Sequence, residues 1–291
     1  MIEPDRDRLF AGLLLAPALI LLGTFVLGPI LYLGYLSLTT GSFTRAGLHW
    51  VGWQHYQRLL ADPEFWQVVG NTAYFGLATV APSIVLPLGL AALLDRSVAF
   101  QGLLRTAFFL PSVLSVVAVG LGFRWLFQDT GPINHCLQAL GLAPVAWLRS
   151  PRWAMPVVIV LSVWKQLGFN LVVFLAGLQA IPRSRYEAAA LDGANELQRF
   201  WHITLPGLRP TLLFVTVTTT LFTLRSFEQI YIVTGGGPLN STNIWVYYIY
   251  DQALAQFEFG RAAAATLLLL LVVLGLVWVQ LRLRVGESRS S

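Results

Sequence analysis

Apolar residues occur in six long blocks separated by shorter polar connections. No charge lies between Arg8 and Arg45, and within that gap Phe10 to Leu38 is long enough to cross a hydrocarbon core of about 30 Å as a helix. The apolar region of a cleaved signal peptide runs to only about 7 to 15 residues, so this block predicts a retained first span. Similar blocks at roughly 68–94, 105–127, 154–180, 207–233 and 262–281 predict five more. The expected fold is an all-α integral membrane protein, a single membrane domain over residues 1–291 with six transmembrane helices and both ends on one side. The longest connections, 39–67, 128–153 and 234–261, then project to the opposite side.

The connection between the fourth and fifth spans is of another kind. Tyr186 to Pro206 reads YEAAALDGANELQRFWHITLP, polar and amphipathic in a mostly apolar chain. Ser184 followed three residues later by Glu187 has the spacing of a capping box and predicts a short helix. Ala188, Ala189 and Ala190 favour that helix and leave a face with little bulk, which a partner can approach closely. Gly193 permits a bend, Asn195 is placed to cap a second short helix through Trp201, and Pro206 ends the unit.

Composition agrees with lipid as the main solvent: 56% of residues are hydrophobic, 11% are charged, and the mean hydropathy is +0.67. The pI of 9.7 would suit nucleic acid binding, but the positive charge is arginine scattered between apolar blocks. Arg6, Arg8, Arg96, Arg105, Arg183, Arg185, Arg199, Arg209, Arg282, Arg284 and Arg289 fall on one side of the predicted topology; Arg45, Arg58, Arg149, Arg152 and Arg261 fall on the other. The positive-inside rule therefore puts both termini and the polar insert in the cytoplasm and predicts no nucleic acid partner. Cys136 is the only cysteine, so there is no internal disulfide, and His49, His55, His135 and His202 show no metal-ligand spacing. Gly235 to Gly237 lack the lysine of a phosphate-binding loop and predict a turn at the end of the fifth span.

Glu187-Ala188-Ala189, Gly193 and the later Ile203-x-Leu205-Pro206 resemble the EAA motif of ATP-binding-cassette importer permeases. Arg105-Thr106-x-Phe108-Phe109-Leu110-Pro111, Gly131-Pro132-Ile133-Asn134, Leu175-Ala176-Gly177-Leu178-Gln179-x-Ile181-Pro182 and Thr234-Gly235-Gly236-Gly237-Pro238 narrow the resemblance. They are similar to the carbohydrate-uptake permeases of the maltose and glycerol-3-phosphate type. The resemblance implies a permease of the bacterial inner membrane, not an enzyme, whose cytoplasmic coupling helix docks on an ATPase. Glu187, Ala188, Ala189, Asp192, Gly193, Ile203, Leu205 and Pro206 are then the coupling residues. It also implies a second homologous permease subunit, an ABC ATPase dimer that binds ATP and Mg, and an extracytoplasmic solute-binding protein or lipoprotein. This chain itself needs no cofactor.

Two stripes at helical spacing mark a candidate solute path. Ser162, Lys165, Gln166 and Phe169 share one face of the fourth span; Thr216, Thr219, Thr220 and Thr223 share one face of the fifth, with Phe222 beside them and Arg225 just beyond. At about 1.5 Å per residue, Lys165 lies about 24 Å from Ile181, and Thr219 and Thr223 lie about 20 to 26 Å from Pro206, so the stripes are expected at one level. Hydroxyls, an amide and aromatic faces suit a sugar or polyol. Small hydroxyl residues also pack helix on helix in membranes, which is the competing reading of the threonines. A lysine at mid-membrane is disfavoured by roughly 2.5 to 3.5 kcal/mol, so Lys165 is expected to serve the path or else to pair with Glu228. Arg124, Lys165, Arg225 and Glu228 also keep an ion-gradient-driven secondary transporter in play, although no acidic residue sits near the middle of a span.

Overall fold

A computed structural model of the chain describes residues 14–41, 47–95 and 101–287. The start of the first span at Phe10 lies outside these residues, as do Arg6, Arg8, Arg45, Arg96 and Arg289. The described chain is mostly helical, with one two-stranded pairing. Four helices, α1 (Leu14–Ser37), α3 (Pro63–Leu94), α7 (Ala154–Gln179) and α13 (Phe259–Glu287), are long and apolar enough to cross a membrane. The number rises to six if each of two sharply bent helix pairs is one span. Pro82 and Pro87 sit inside α3 without ending it, as membrane helices tolerate.

The third and fifth spans differ from the continuous helices expected. The third is α4 (Gln101–Val113) followed by α5 (Val116–Leu126), bent by 96°. Pro111 supplies no N–H to the helix and Ser115 has extended backbone (φ −56°, ψ 130°), so the hydrogen-bond ladder breaks at Leu114. The fifth span enters through α9 (Glu196–Gly207), turns by 67° at Leu208 into α10 (Arg209–Leu224), and ends at Arg225, before the separate α11 (Glu228–Val233). Gly235 and Gly236 then form the expected turn, both with positive φ.

The chain divides into two compact units. One takes the described residues of Met1–Phe65 and Tyr248–Leu271. Here strands β1 (Thr39–Thr40) and β2 (His49–Trp50) pair antiparallel, and α2 (Gln54–Ala61) buries His55, whose Nε2 donates to the Thr39 carbonyl at 3.0 Å. Asp62 and Arg261 form a hydrogen-bonded ion pair beside the Tyr248 ring, which is buried against Phe65. No residue in the most apolar stretch of α1 is buried.

The other unit takes the described residues of Trp66–Tyr247 and Val272–Ser291. Its core is α7, whose buried residues fall into two apolar clusters. Met155, Val158 and Leu161 pack with Phe75, Ile230 and Ile244; Leu171, Phe174 and Leu178 pack with Ala91, Leu208 and Val215. Lipid tails are as apolar as these side chains, so close packing rather than water exclusion holds the helices together. Gly168 shows how close: a Cβ there would lie 2.3 Å from the Phe108 carbonyl oxygen, so only glycine lets α4 and α7 meet.

Candidate functional site

The polar insert folds as two short helices. The first, α8 (Arg183–Leu191), starts after Pro182 with no side-chain cap, so the expected Ser184–Glu187 capping box does not form. Proline sets the helix start one residue before Ser184, and the serine becomes an ordinary helical position. At the other end Gly193 adopts φ +78°. Its N–H donates to the Ala190 carbonyl at 3.1 Å, and the Ala194 N–H donates to the Ala189 carbonyl at 2.9 Å, which is a Schellman stop. The capping box appears instead at Asn195: its side chain accepts from the Gln198 N–H and its own N–H donates to Gln198 Oε1, both at 2.8 Å. The helix it starts, α9, continues past Trp201 through one wide π turn (Phe200–Thr204) to Gly207, and Pro206 lies within it. The Tyr186 hydroxyl and Thr204 Oγ1, 2.9 Å apart, brace α8 on α9.

Glu187, Ala188, Asp192 and Pro206 are exposed, Ala189, Ile203 and Leu205 are half-buried, and Leu191 is 90% exposed. Neither the Glu187 nor the Asp192 carboxylate forms a hydrogen bond or ion pair among the described residues. Two hollows of about 440 Å³ share Ala189, Asp192, His202 and Ile203 as lining. The insert is thus a projecting knob with small residues, two carboxylates that are free among the described residues and an exposed leucine.

The structure brings the two predicted stripes together and also divides them. Gln166 Nε2 donates to Thr223 Oγ1 at 3.3 Å, and Asn170 Nδ2 donates to Thr219 Oγ1 at 3.1 Å and to the Ser83 carbonyl at 2.6 Å. These bonds put α7 and α10 in the register expected from helix rise, and they join α3 to both. Ser162, Thr219 and Thr223 are buried, and the Ser162 hydroxyl is turned back to the Val158 carbonyl at 2.8 Å. Thr219 and Thr223 therefore pack α10 against α7. Phe169 and Phe222 stay open, 39% and 60% exposed, edge to face with ring centroids 6.5 Å apart. Arg225 follows Phe222 by three residues, exposed, its guanidinium without a hydrogen bond or ion pair among the described residues.

Lys165 forms no close ion pair with Glu228 among the described residues. Its Nζ donates to the Leu114 carbonyl at 2.6 Å and to the Pro111 carbonyl at 3.3 Å, at the break of the third span. Asn170, Ser112 and Gly168 went unnoticed in the sequence. Asn170 continues the helical spacing of Ser162 and Gln166, so that signal was present; the other two depend on which helix lies opposite.

A family profile, binding-protein-dependent transport system inner membrane component, matches residues 83–284. The chain is 36% identical over 280 residues to the sulfoquinovosyl glycerol transport system permease protein SmoG of Agrobacterium fabrum, covering 95% of this chain and 91% of that one. It is 41% identical over 244 residues to the lactose transport system permease protein LacF of Rhizobium radiobacter, covering 82% and 81%. Among solved structures, it superposes on a chain of a bacterial alginate ABC transporter in complex with an alginate pentasaccharide-bound periplasmic protein. There the TM-score is 0.81 and the identity 27%, over 95% of this chain and 93% of that one.

Proposed function

The chain belongs to the binding-protein-dependent transport system inner membrane components, and from that premise we propose a solute path for a sugar or sugar derivative beside Phe169 and Phe222. It is a multi-pass permease of an ATP-driven importer in the bacterial inner membrane, not an enzyme. ATP is hydrolysed by a separate ATPase, and the assembly includes a second permease and an extracytoplasmic binding protein. ATP and its Mg are held by that ATPase alone. The whole chain acts as one transmembrane domain with both termini and the insert in the cytoplasm.

The observation that carries this reading is the free knob between α7 and α10. The Glu187 and Asp192 carboxylates have no partner among the described residues, and charged groups that another subunit pairs are left open in this way. Glu187, Ala188, Ala189, Asp192 and Gly193 form the docking face; Ile203, Leu205 and Pro206 carry its motion into α10. On the path, Phe169 and Phe222 offer faces for the C–H surface of a sugar ring, and Arg225 adds hydrogen-bond donors. Gln166, Thr219 and Thr223 serve the path by holding the two aromatic positions in register, and Ser162 lies on the same face of α7.

Reconstitution with the second permease, ATPase and binding protein in proteoliposomes tests the class. Uptake from a panel of labelled mono- and oligosaccharides should require ATP and persist when proton and sodium gradients are collapsed. Uptake that follows a gradient and ignores ATP would establish the ion-driven alternative. For orientation, Leu239→Cys and Ser290→Cys are compared in a Cys136→Ser background, using the 85% exposure of Leu239. In intact cells a membrane-impermeant thiol reagent should label only the first, and labelling at Ser290 would invert the topology.

A further inference from the structure

A broken membrane helix leaves carbonyl oxygens that water cannot reach from the lipid side, and each must find a donor. At the end of α4 that donor is the ammonium of Lys165, 2.6 Å from the Leu114 oxygen and 3.3 Å from the Pro111 oxygen. A cation at a helix C-terminus also faces the negative end of the helix dipole. The same junction has a second tie. The Ser112 hydroxyl donates to the Lys165 carbonyl at 3.0 Å and accepts from the Phe169 N–H at 3.1 Å, so it inserts into the backbone ladder of α7 between these two residues. Gly168 removes the Cβ that would keep α4 away. One turn along α7 from Lys165 is Phe169, half of the exposed aromatic pair.

We propose that Lys165 is a positioning residue that caps the half-span α4, holding the break at Leu114 and Ser115 in place beside the Phe169–Phe222 pair, and that it does not read the solute. The cap keeps irregular backbone at membrane depth next to the path, where a broken helix is tolerated. Lys165 and Ser112 work as one clamp: the ammonium takes the carbonyls of α4, and a hydroxyl of α4 takes the backbone of α7. The location of the path rests on the permease reading; the clamp itself does not.

The chain has a single lysine, which makes the test direct. The assembled complex in lipid nanodiscs is treated with a water-soluble acetylating reagent, and modification is followed by mass spectrometry of the Lys165 peptide. The side chain is only partly buried, so accessibility alone does not shield it. Acetylation needs the free amine, and two bonds from the ammonium to carbonyls oppose its release. Lys165 should react about ten- to a hundredfold more slowly than the lysine of a Leu239→Lys variant. Ser112→Ala should speed its reaction by loosening the clamp. Acetylation of Lys165 at the reference rate would overturn the proposal. So would slow acetylation that Ser112→Ala leaves unchanged, since protection would then come from burial alone. The readout needs no transport, so failure here leaves the permease assignment standing, and failure of transport leaves the clamp standing.

Discussion

Replacing Gly193 tests whether the shape of the insert, rather than its composition, couples it to ATP hydrolysis. Gly193 sits at φ +78°, where an L side chain crowds its own backbone, and a Cβ built there meets no heavy atom within 4 Å. A substitution therefore changes backbone preference with no steric clash. An ordinary L residue in the left-handed region costs about 1 to 2 kcal/mol, with the upper end expected for a β-branched one. That corresponds to a factor of about 5 to 30 in the population of the Schellman stop. Asparagine enters this region readily, so Gly193→Asn is expected within about twofold of wild type. The assay is ATPase activity of the reconstituted complex with and without solute-loaded binding protein. Gly193→Val should reduce the stimulated rate by about 5- to 30-fold at normal subunit yield, while Gly193→Asn retains it. Equal loss in both variants would show that side-chain volume matters and that the left-handed turn does not. Full stimulation in Gly193→Val would remove the insert from coupling.

Asn195→Ala deletes the side-chain acceptor of the Gln198 N–H, leaves the backbone bond from residue 195 to Gln198 Oε1, and should weaken the start of α9 by about 1 kcal/mol, read as faster amide exchange across residues 196–199 with α8 unchanged. Asn170→Leu removes both donors that tie α7 to Ser83 and Thr219. Interhelical bonds in membranes are worth about 0.6 kcal/mol on average and about 1.7 at most, so the loss should be about 1 to 3 kcal/mol, seen as a lower midpoint of thermal aggregation; a raised midpoint would refute the bridging role. Outside the spans, burial pushes the Tyr248 phenol up from 10.0 to about 12, with Arg261 pulling it back. The folded state then holds a proton that the unfolded chain releases, so this contribution is constant below pH 10 and is lost as the pH rises from about 10 to about 12. The difference in thermal stability between wild type and Tyr248→Phe should therefore change only above pH 10, and a change between pH 6 and 8 would contradict it.

The pattern of the chain determined the membrane class, the approximate spans and the position of the insert, because these depend on local properties: length, hydropathy, and the turn chemistry of Gly193 and Asn195. It also determined the register of α7 against α10, since helix rise is the same everywhere and both helices leave one insert. Only the tertiary structure decided what each polar side chain does. Thr219 and Thr223 have the spacing of a path lining, but spacing is blind to the helix lying opposite, and α7 meets them through Gln166 and Asn170. The break in the third span was equally hidden. Pro111 announces a weak ladder but not a turn of 96°, because proline is tolerated inside α3 at Pro82 and Pro87 without a break. What differs at Leu114 is a partner: the ammonium of Lys165, 51 residues away in sequence, satisfies the carbonyls that the break exposes. A donor that distant becomes visible only when α4 and α7 meet across Gly168.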